Sequence, residues 1–120
     1  MDSILVVEDE RLILNLVIDV LEMYGYTATP FSNADAAWRF IESCGYPPRL
    51  LITDLQMPGE VDGIELVKRV HRLQPSTPVV VASGYHSTAE SLADHRVHWL
   101  PKPFEIDQLH AICQKLAPQH

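Results

Sequence analysis

The stretches Ile4-Leu5-Val6-Val7 and Val79-Val80-Val81-Ala82 are apolar at every position. Strands that are buried on both faces of a sheet have this pattern, whereas half-exposed strands alternate apolar and polar residues. With three more short apolar runs they make five predicted strands: Ile4 to Val7, Thr27 to Phe31, Leu50 to Thr53, Val79 to Ala82 and Val97 to Leu100. We therefore expect a sheet that is covered on both sides.

Helical patterns separate these runs. They cover Glu10 to Tyr24, Asn33 to Ser43, Gly63 to Leu73, a weaker segment from Ser87 to Asp94, and Glu105 to Leu116. Strict alternation of strands and helices predicts a parallel sheet with right-handed crossovers. The expected fold is α/β and doubly wound: a flavodoxin-like (β/α)5 domain with strand order 2-1-3-4-5.

Length and composition limit the possible functions. A chain of 120 residues with 47% hydrophobic residues predicts one globular domain, residues 1–120. A formal charge of −7 opposes direct binding to nucleic acid or anionic lipid. No apolar stretch predicts insertion into a membrane and no basic leader is present, so we expect a cytoplasmic protein. Cys44 and Cys113 lack the spacing of a zinc site and are predicted to be plain thiols.

Carboxylates follow two of the predicted strands. Glu8 and Asp9 come after the first strand, and Asp54 comes after the third. In strand order 2-1-3-4-5 these two ends are neighbours at the switch point, where ligands bind. Asp9 could instead cap the first helix. The added carboxylate of Asp54 favours a divalent cation, and oxygen ligands favour Mg²⁺.

Two further strand ends carry polar groups, Ser83 and Lys102. An aspartate nucleophile with a metal, an ammonium and a hydroxyl around it suits phosphoryl transfer. The prolines around Lys102 make a cis Lys102-Pro103 bond plausible. A flavin or nucleotide site is disfavoured, because the turn after the first strand is acidic and lacks glycine.

The chain resembles the receiver domain of two-component response regulators over essentially its full length. The resemblance rests on the order and spacing of five pieces: Ile4 to Glu10, Leu51 to Pro58, Asp62 to Leu66, Ala82 to Tyr85 and Leu100 to Phe104. It implies a phosphorylation-dependent signalling switch and not a classical enzyme. Asp54 would accept phosphoryl from a histidine kinase or a histidine phosphotransfer protein.

The resemblance also implies the roles of the surrounding residues. Asp9, Asp54 and the backbone carbonyl of Gln56 would bind Mg²⁺, with Glu8 acting through water. Lys102 and Ser83 would contact the phosphoryl group. Ser83 and Trp99 would form the switch that responds to it.

Three departures from the family pattern concern the segments between these residues. The loop Met57 to Gly63 is one residue longer than usual. The interval from Ser83 to Lys102 is about three residues short, which predicts a shortened fourth helix and makes activation by dimerisation uncertain; at most a weak homodimer is expected. The chain ends at His120 just after the last predicted helix, so we expect a free-standing receiver or one cut from a hybrid histidine kinase.

The first predicted helix is more apolar than one buried face requires. Its inward stripe is predicted to contain Leu12, Ile13, Leu16, Val17, Val20 and Tyr24, with Leu14, Ile18 and Leu21 on a flank. Arg11, Leu14 and Ile18 are therefore candidates for partner docking, although a broad core helix explains the same pattern.

An alternative function is a Mg²⁺-dependent phosphohydrolase that uses Asp54 as its nucleophile. That reaction requires a second acid two residues further on to protonate the leaving group, and this position holds Gln56.

Overall fold

The computed structural model describes residues 3–55, 62–83 and 96–118. The strands in these ranges are β1 (Ile4–Val7), β2 (Ala28–Phe31), β3 (Leu50–Thr53), β4 (Val79–Ser83) and β5 (His98–Pro101). The helices are α1 (Arg11–Met23), α2 (Ala34–Cys44), α3 (Gly63–Leu73) and α4 (Ile106–Leu116). Each lies within about one residue of its predicted bounds. The weak helix predicted from Ser87 to Asp94 lies outside the described residues.

The five strands form one parallel sheet in the order β2-β1-β3-β4-β5, which confirms the predicted topology. In the register of the two central strands, Val7 is paired with Thr53. The amide of Asp54 donates to the carbonyl of Val7 at 3.1 Å. The residues that follow β1 and β3 therefore leave the sheet side by side.

Helices cover both faces of the sheet, because successive strand residues point to opposite sides. Leu5 and Val7 point to the face packed by α2 and α3. Ile4 and Val6 point to the face packed by α1 and α4. The sheet interior is thereby removed from water on both sides, as the unbroken apolar runs predict.

The predicted orientation of α1 is wrong in part: Val17 and Val20 are buried as predicted, but Leu12 and Leu16 are not. The buried residues of this helix are Leu14, Val17, Val20 and Leu21. Leu12 is 86% exposed and Leu16 is 49% exposed. Apolar residues occupy most of the circumference of α1, so the sequence period does not fix which of them face the sheet. Leu14 is part of the core and cannot belong to an exposed docking patch.

Of the predicted helix caps, the one on α2 is confirmed and the one on α1 is wrong. The Asn33 side chain accepts from the amide of Ala36 at 2.8 Å, as predicted for α2. The N-cap of α1 is Glu10, without a side-chain capping bond, so the predicted cap role of Asp9 is wrong. The Asp9 carboxylate is therefore not committed to the helix end.

The cysteines are free thiols, as predicted. Cys44 is half-buried and Cys113 is buried. Burial raises the pKa of the Cys113 thiol to about 12. In the described part of the chain, no helix combines the length and the apolar character needed to cross a membrane.

Candidate functional site

Three carboxylates meet where β1 and β3 end. One oxygen from each of Glu8, Asp9 and Asp54 can be chosen so that all three lie within 4.8 Å of one another. Glu8 is buried, Asp54 is half-buried and Asp9 is exposed. The three predicted acids are thus brought together, in a crevice that opens to solvent through Asp9.

Lys102 lies directly after β5 and reaches across the strand ends to this cluster. Its Nζ donates to Glu8 Oε1 at 2.5 Å and to Asp54 Oδ2 at 3.1 Å. The exposed side-chain fractions are 19% for Lys102 and 5% for Glu8. The Lys102-Pro103 peptide bond is cis, as the sequence indicates. The Lys102 ammonium therefore bridges the carboxylates of Glu8 and Asp54, the two less exposed acids of the cluster.

Hydrogen bonds hold both the side chain and the backbone carbonyl of Asp54. The amide of Leu55 donates to Asp54 Oδ1 at 2.7 Å. The Thr53 hydroxyl donates to the Asp54 carbonyl at 2.8 Å. With Oδ1 held by the backbone, Oδ2 is the oxygen that lies toward Lys102.

Gly63 supports the site from behind, at the first residue of α3. Its amide donates to the Leu55 carbonyl at 3.1 Å. A Cβ on Gly63 would lie 1.8 Å from the Asp54 carbonyl oxygen and 2.7 Å from the Leu55 Cα. Only glycine fits against this backbone. Sequence reasoning used Asp62-Gly63 as part of the family pattern and missed the contact, although a glycine that begins a predicted helix is a signal of close approach.

Charge at the site is unbalanced. Among the described residues, three carboxylates face one ammonium, an excess of two formal negative charges. Burial raises the pKa of Glu8 above its ordinary value, and the Lys102 ammonium partly opposes this rise. Burial alone would lower the pKa of Lys102, but its hydrogen bond to Glu8 and the charge of Asp54 outweigh that cause and raise it. A divalent cation with oxygen ligands matches both the charge and the donor set.

The other candidate residues differ in what the structure says about them. Gln56 lies outside the described residues. Ser83 is the last residue of β4, at the same edge of the sheet as Asp54. The structure describes the backbone of Ser83 and not its side chain. Trp99 lies in β5, half-buried against the core on the α2 and α3 side.

The three docking candidates on α1 differ in their exposure to solvent. Arg11 is exposed, Ile18 is half-buried against the core, and Leu14 is buried. Beside the site, Ile13 and Leu16 of α1 and the Lys102-Pro103-Phe104 turn line an open groove of about 320 Å³. The exposed large apolar residues in the first half of α1 are Leu12 and Leu16, and Leu16 also lines this groove.

Comparison with known proteins is consistent with this geometry. The family model of the response regulator receiver domain matches residues 4–114. The response regulator receiver protein CpdR of Brucella abortus is 33% identical over 112 residues, which cover 91% of either chain. The nitrogen assimilation regulatory protein NtrX of Azorhizobium caulinodans is 34% identical over 94% of this chain.

A solved structure gives the same result for the fold. The crystal structure of the receiver domain of NtrX from Brucella abortus superimposes with a TM-score of 0.81 at 29% identity, covering 98% of this chain and 100% of that one. The chain spans about a quarter of the length of the first curated relatives it matches, and most of the length of CpdR.

Proposed function

Because the chain belongs to the response regulator receiver domain family, we propose that it is a phosphorylation-dependent switch whose acceptor is Asp54. Receiver domains are signalling domains of two-component systems and not classical enzymes. The observation that carries the proposal is the position of Asp54, at the end of a buried central strand and in contact with Lys102. The donor we propose is a phosphohistidine on a histidine kinase or a histidine phosphotransfer protein.

Transfer would make one bond and break one. Asp54 Oδ2 attacks the phosphorus, the oxygen–phosphorus bond forms, and the phosphorus–nitrogen bond breaks. The electron pair leaves with the imidazole of the donor, which then takes a proton from water. Lys102 Nζ lies 3.1 Å from Oδ2, where it would hold an oxygen of the arriving phosphoryl group.

Receiver domains bind Mg²⁺ in an acidic pocket, and the acidic cluster here suits that ion. We propose that Asp9 and Asp54 hold it, with the Gln56 carbonyl, and that Glu8 contributes through water. When bound, Mg²⁺ supplies positive charge that offsets the charge of the phosphoryl oxygens. Asp9 supports this assignment because its carboxylate is exposed and does not cap α1.

The response to phosphorylation is proposed to involve Ser83 and Trp99. Ser83 ends β4 and Trp99 lies in the adjacent strand β5, paired with Val81. A hydroxyl drawn toward the phosphoryl group would leave room for the aromatic side chain to turn. The half-buried position of Trp99 at the edge of the core is compatible with such a movement.

The proposed function is tested by intact mass after incubation with acetyl phosphate. The native chain is expected to gain one phosphoryl group when Mg²⁺ is present and to gain none when EDTA replaces it. Asp54→Asn is expected to gain none under either condition, because an amide cannot act as the nucleophile. Phosphorylation of Asp54→Asn at the native rate would contradict the proposal. Steady release of inorganic phosphate without a retained group would favour a phosphohydrolase instead.

Partner docking is proposed to use the exposed residues of α1 next to the crevice. We define the α1 docking surface as Arg11, Leu12, Leu16, Pro103 and Phe104. Leu12 is the most exposed large apolar side chain of the described residues, at 86%. A helical bundle that carries the donor histidine could cover this apolar surface while its histidine reaches Asp54.

Leu12→Asp is expected to slow transfer from a phosphorylated histidine phosphotransfer protein by about tenfold, because it places a charge in an apolar contact. Its rate with acetyl phosphate should stay at the native value, since a small donor does not touch α1. Both rates are measured by intact mass over time. Equal slowing with the two donors would rule out docking at this surface.

Met23→Asp is the matched control. Met23 is 66% exposed on the same helix but lies at its far end from the crevice. This variant is expected to accept phosphoryl from both donors at the native rates. Leu14→Asp is unsuitable as a test, because Leu14 is buried and the change would unfold the core.

A further inference from the structure

The groove between α2 and α3 lies on the other face of the sheet from α1. It has a volume of about 340 Å³ and is lined by Trp38, Arg69, Arg72 and Leu73. Leu73 is 45% exposed, so its apolar side chain is accessible at the edge of the groove. The groove thus offers apolar and cationic groups together.

The charge of α3 is opposite to that of the molecule. The chain carries a formal charge of −7, yet α3 holds Lys68, Arg69 and Arg72, three of the nine Lys and Arg. The acid on α3 is Glu65, which accepts from Arg69 Nε at 3.1 Å. Within the described ranges of the chain, the lining of the groove includes no acid. A local positive patch on an acidic protein attracts acidic groups of a partner. This attraction is confined to the area of the patch.

Both guanidinium groups of the groove approach Glu65, and that of Arg72 is the more weakly held of the two. Arg69 lies over the Trp38 ring, with Cζ 5.7 Å from the ring centroid, and its Nε is committed to Glu65. Arg72 is 3.5 Å from the same Glu65 oxygen, but its side chain is 68% exposed. Arg72 can therefore turn its planar donors toward an incoming carboxylate at little cost.

We propose that this α2–α3 groove binds an acidic segment of a partner protein, with an apolar side chain between its carboxylates. Arg72 would pair with a carboxylate of the segment, with the Arg69 guanidinium beside it. The Trp38 ring and Leu73 would cover the apolar side chain. Nucleic acid is a poor match, because three cations on one short helix cannot offset the repulsion of a polyanion by the remaining acidic surface.

This surface is separate from the phosphoacceptor site. Gly63, at the start of α3, touches the Asp54 backbone, whereas Arg69, Arg72 and Leu73 lie in the second half of the helix. The binding we propose does not require phosphorylation of Asp54. Failure of the phosphorylation experiment would therefore leave this inference standing, and the reverse also holds.

The test uses the two tryptophans of the chain as reporters. The probe is the synthetic peptide acetyl-Glu-Glu-Leu-Glu-Glu-amide, added to the ¹⁵N-labelled native chain and followed by NMR. We expect the indole N–H resonance of Trp38 to shift until saturation, while that of Trp99 stays in place. A matched peptide with glutamine at every glutamate position is expected to cause no shift. An equal shift with this neutral peptide would overturn the role of charge.

Arg72→Glu is expected to weaken binding of the acidic peptide about fivefold to tenfold, since attraction becomes repulsion. Lys115→Glu is the matched control, because Lys115 is an exposed cation on α4, on the opposite face of the sheet. It should bind as the native chain does. Equal weakening by Arg72→Glu and Lys115→Glu would show that only the net charge of the protein matters, and it would overturn the proposal.

Three other outcomes also contradict the proposal. A Trp38 shift that inorganic phosphate reproduces fully would mean that the groove is a simple anion site. A Trp38 shift that depends on protein concentration without peptide would mean that a second copy of the chain occupies the groove. No Trp38 shift at millimolar peptide would mean that the groove does not bind acidic segments.

Discussion

Gly63→Ala is expected to destabilise the protein by about 3 kcal/mol or more, the upper range for overpacking a tight site. The added methyl would lie 1.8 Å from the Asp54 carbonyl oxygen, so either α3 or the end of β3 must move. The free energy of unfolding, measured by urea titration, gives the size of the loss. A variant as stable as the native chain would show that α3 does not begin against the Asp54 backbone.

The same substitution is expected to slow phosphorylation by acetyl phosphate, measured under conditions where the variant is still folded. Displacement of the Asp54 backbone would move its carboxylate relative to Lys102. Gly45→Ala is the matched control. Gly45 has φ +72° and open space around it, so alanine there costs only the left-handed strain of about 1–2 kcal/mol. Gly45→Ala should leave the phosphorylation rate unchanged.

Lys102→Met is expected to cost about 3 kcal/mol of stability in the absence of metal. The substitution keeps the apolar stem but leaves the 5% exposed Glu8 carboxylate without its ammonium. Removal of one partner from a buried ion pair is costly, because the other charge remains desolvated. The expected loss lies at the lower end of the usual range because Lys102 keeps 19% of its side chain exposed.

A double-mutant cycle separates this ion pair from packing. Glu8→Gln keeps an oxygen that can accept from the Glu10 amide, as Glu8 Oε2 now does at 3.1 Å. The variant with both Glu8→Gln and Lys102→Met should recover most of the stability lost by Lys102→Met alone. Additive losses would show that the Glu8–Lys102 pair does not stabilise the folded state.

The pH dependence of the Lys102→Met effect has a defined sign. Burial raises the pKa of Glu8 above 4.5 in the folded chain, so its contribution to stability is present at low pH and is lost as the pH rises through the folded value. Lys102 opposes this rise, and its removal raises the pKa of Glu8 further. The loss of stability is therefore expected to be largest near neutral pH and smaller in acid, where Glu8 is protonated.

The sequence predicted the strand order and the acidic crevice for one physical reason. Uninterrupted apolar runs such as Ile4 to Val7 are typical of buried parallel strands, and the carboxyl ends of parallel strands share one edge. Glu8, Asp54 and Lys102 directly follow three of these strands, and Asp9 comes one residue after Glu8. Their meeting at one edge thus follows from topology.

The orientation of α1 was not predictable in the same way. Its apolar residues fill more of the helix surface than the sheet can cover, so several rotations satisfy the pattern equally. Leu14 and Leu21 are buried and Leu12 is exposed because the helix packs against Val6 and Ile52 on a particular side. The docking surface proposed here therefore differs from the one that periodicity suggests.

By itself, the sequence determined the element order, the parallel sheet and the set of charged groups at its edge, because local pattern and strand direction are written in the order of residues. Only the tertiary structure decided which oxygen pairs with Lys102, why position 63 must be glycine, and how Trp38 and Arg72 come to line one groove. These are contacts between residues distant along the chain. Their distances depend on how helices rotate and pack on the sheet, which no local pattern specifies.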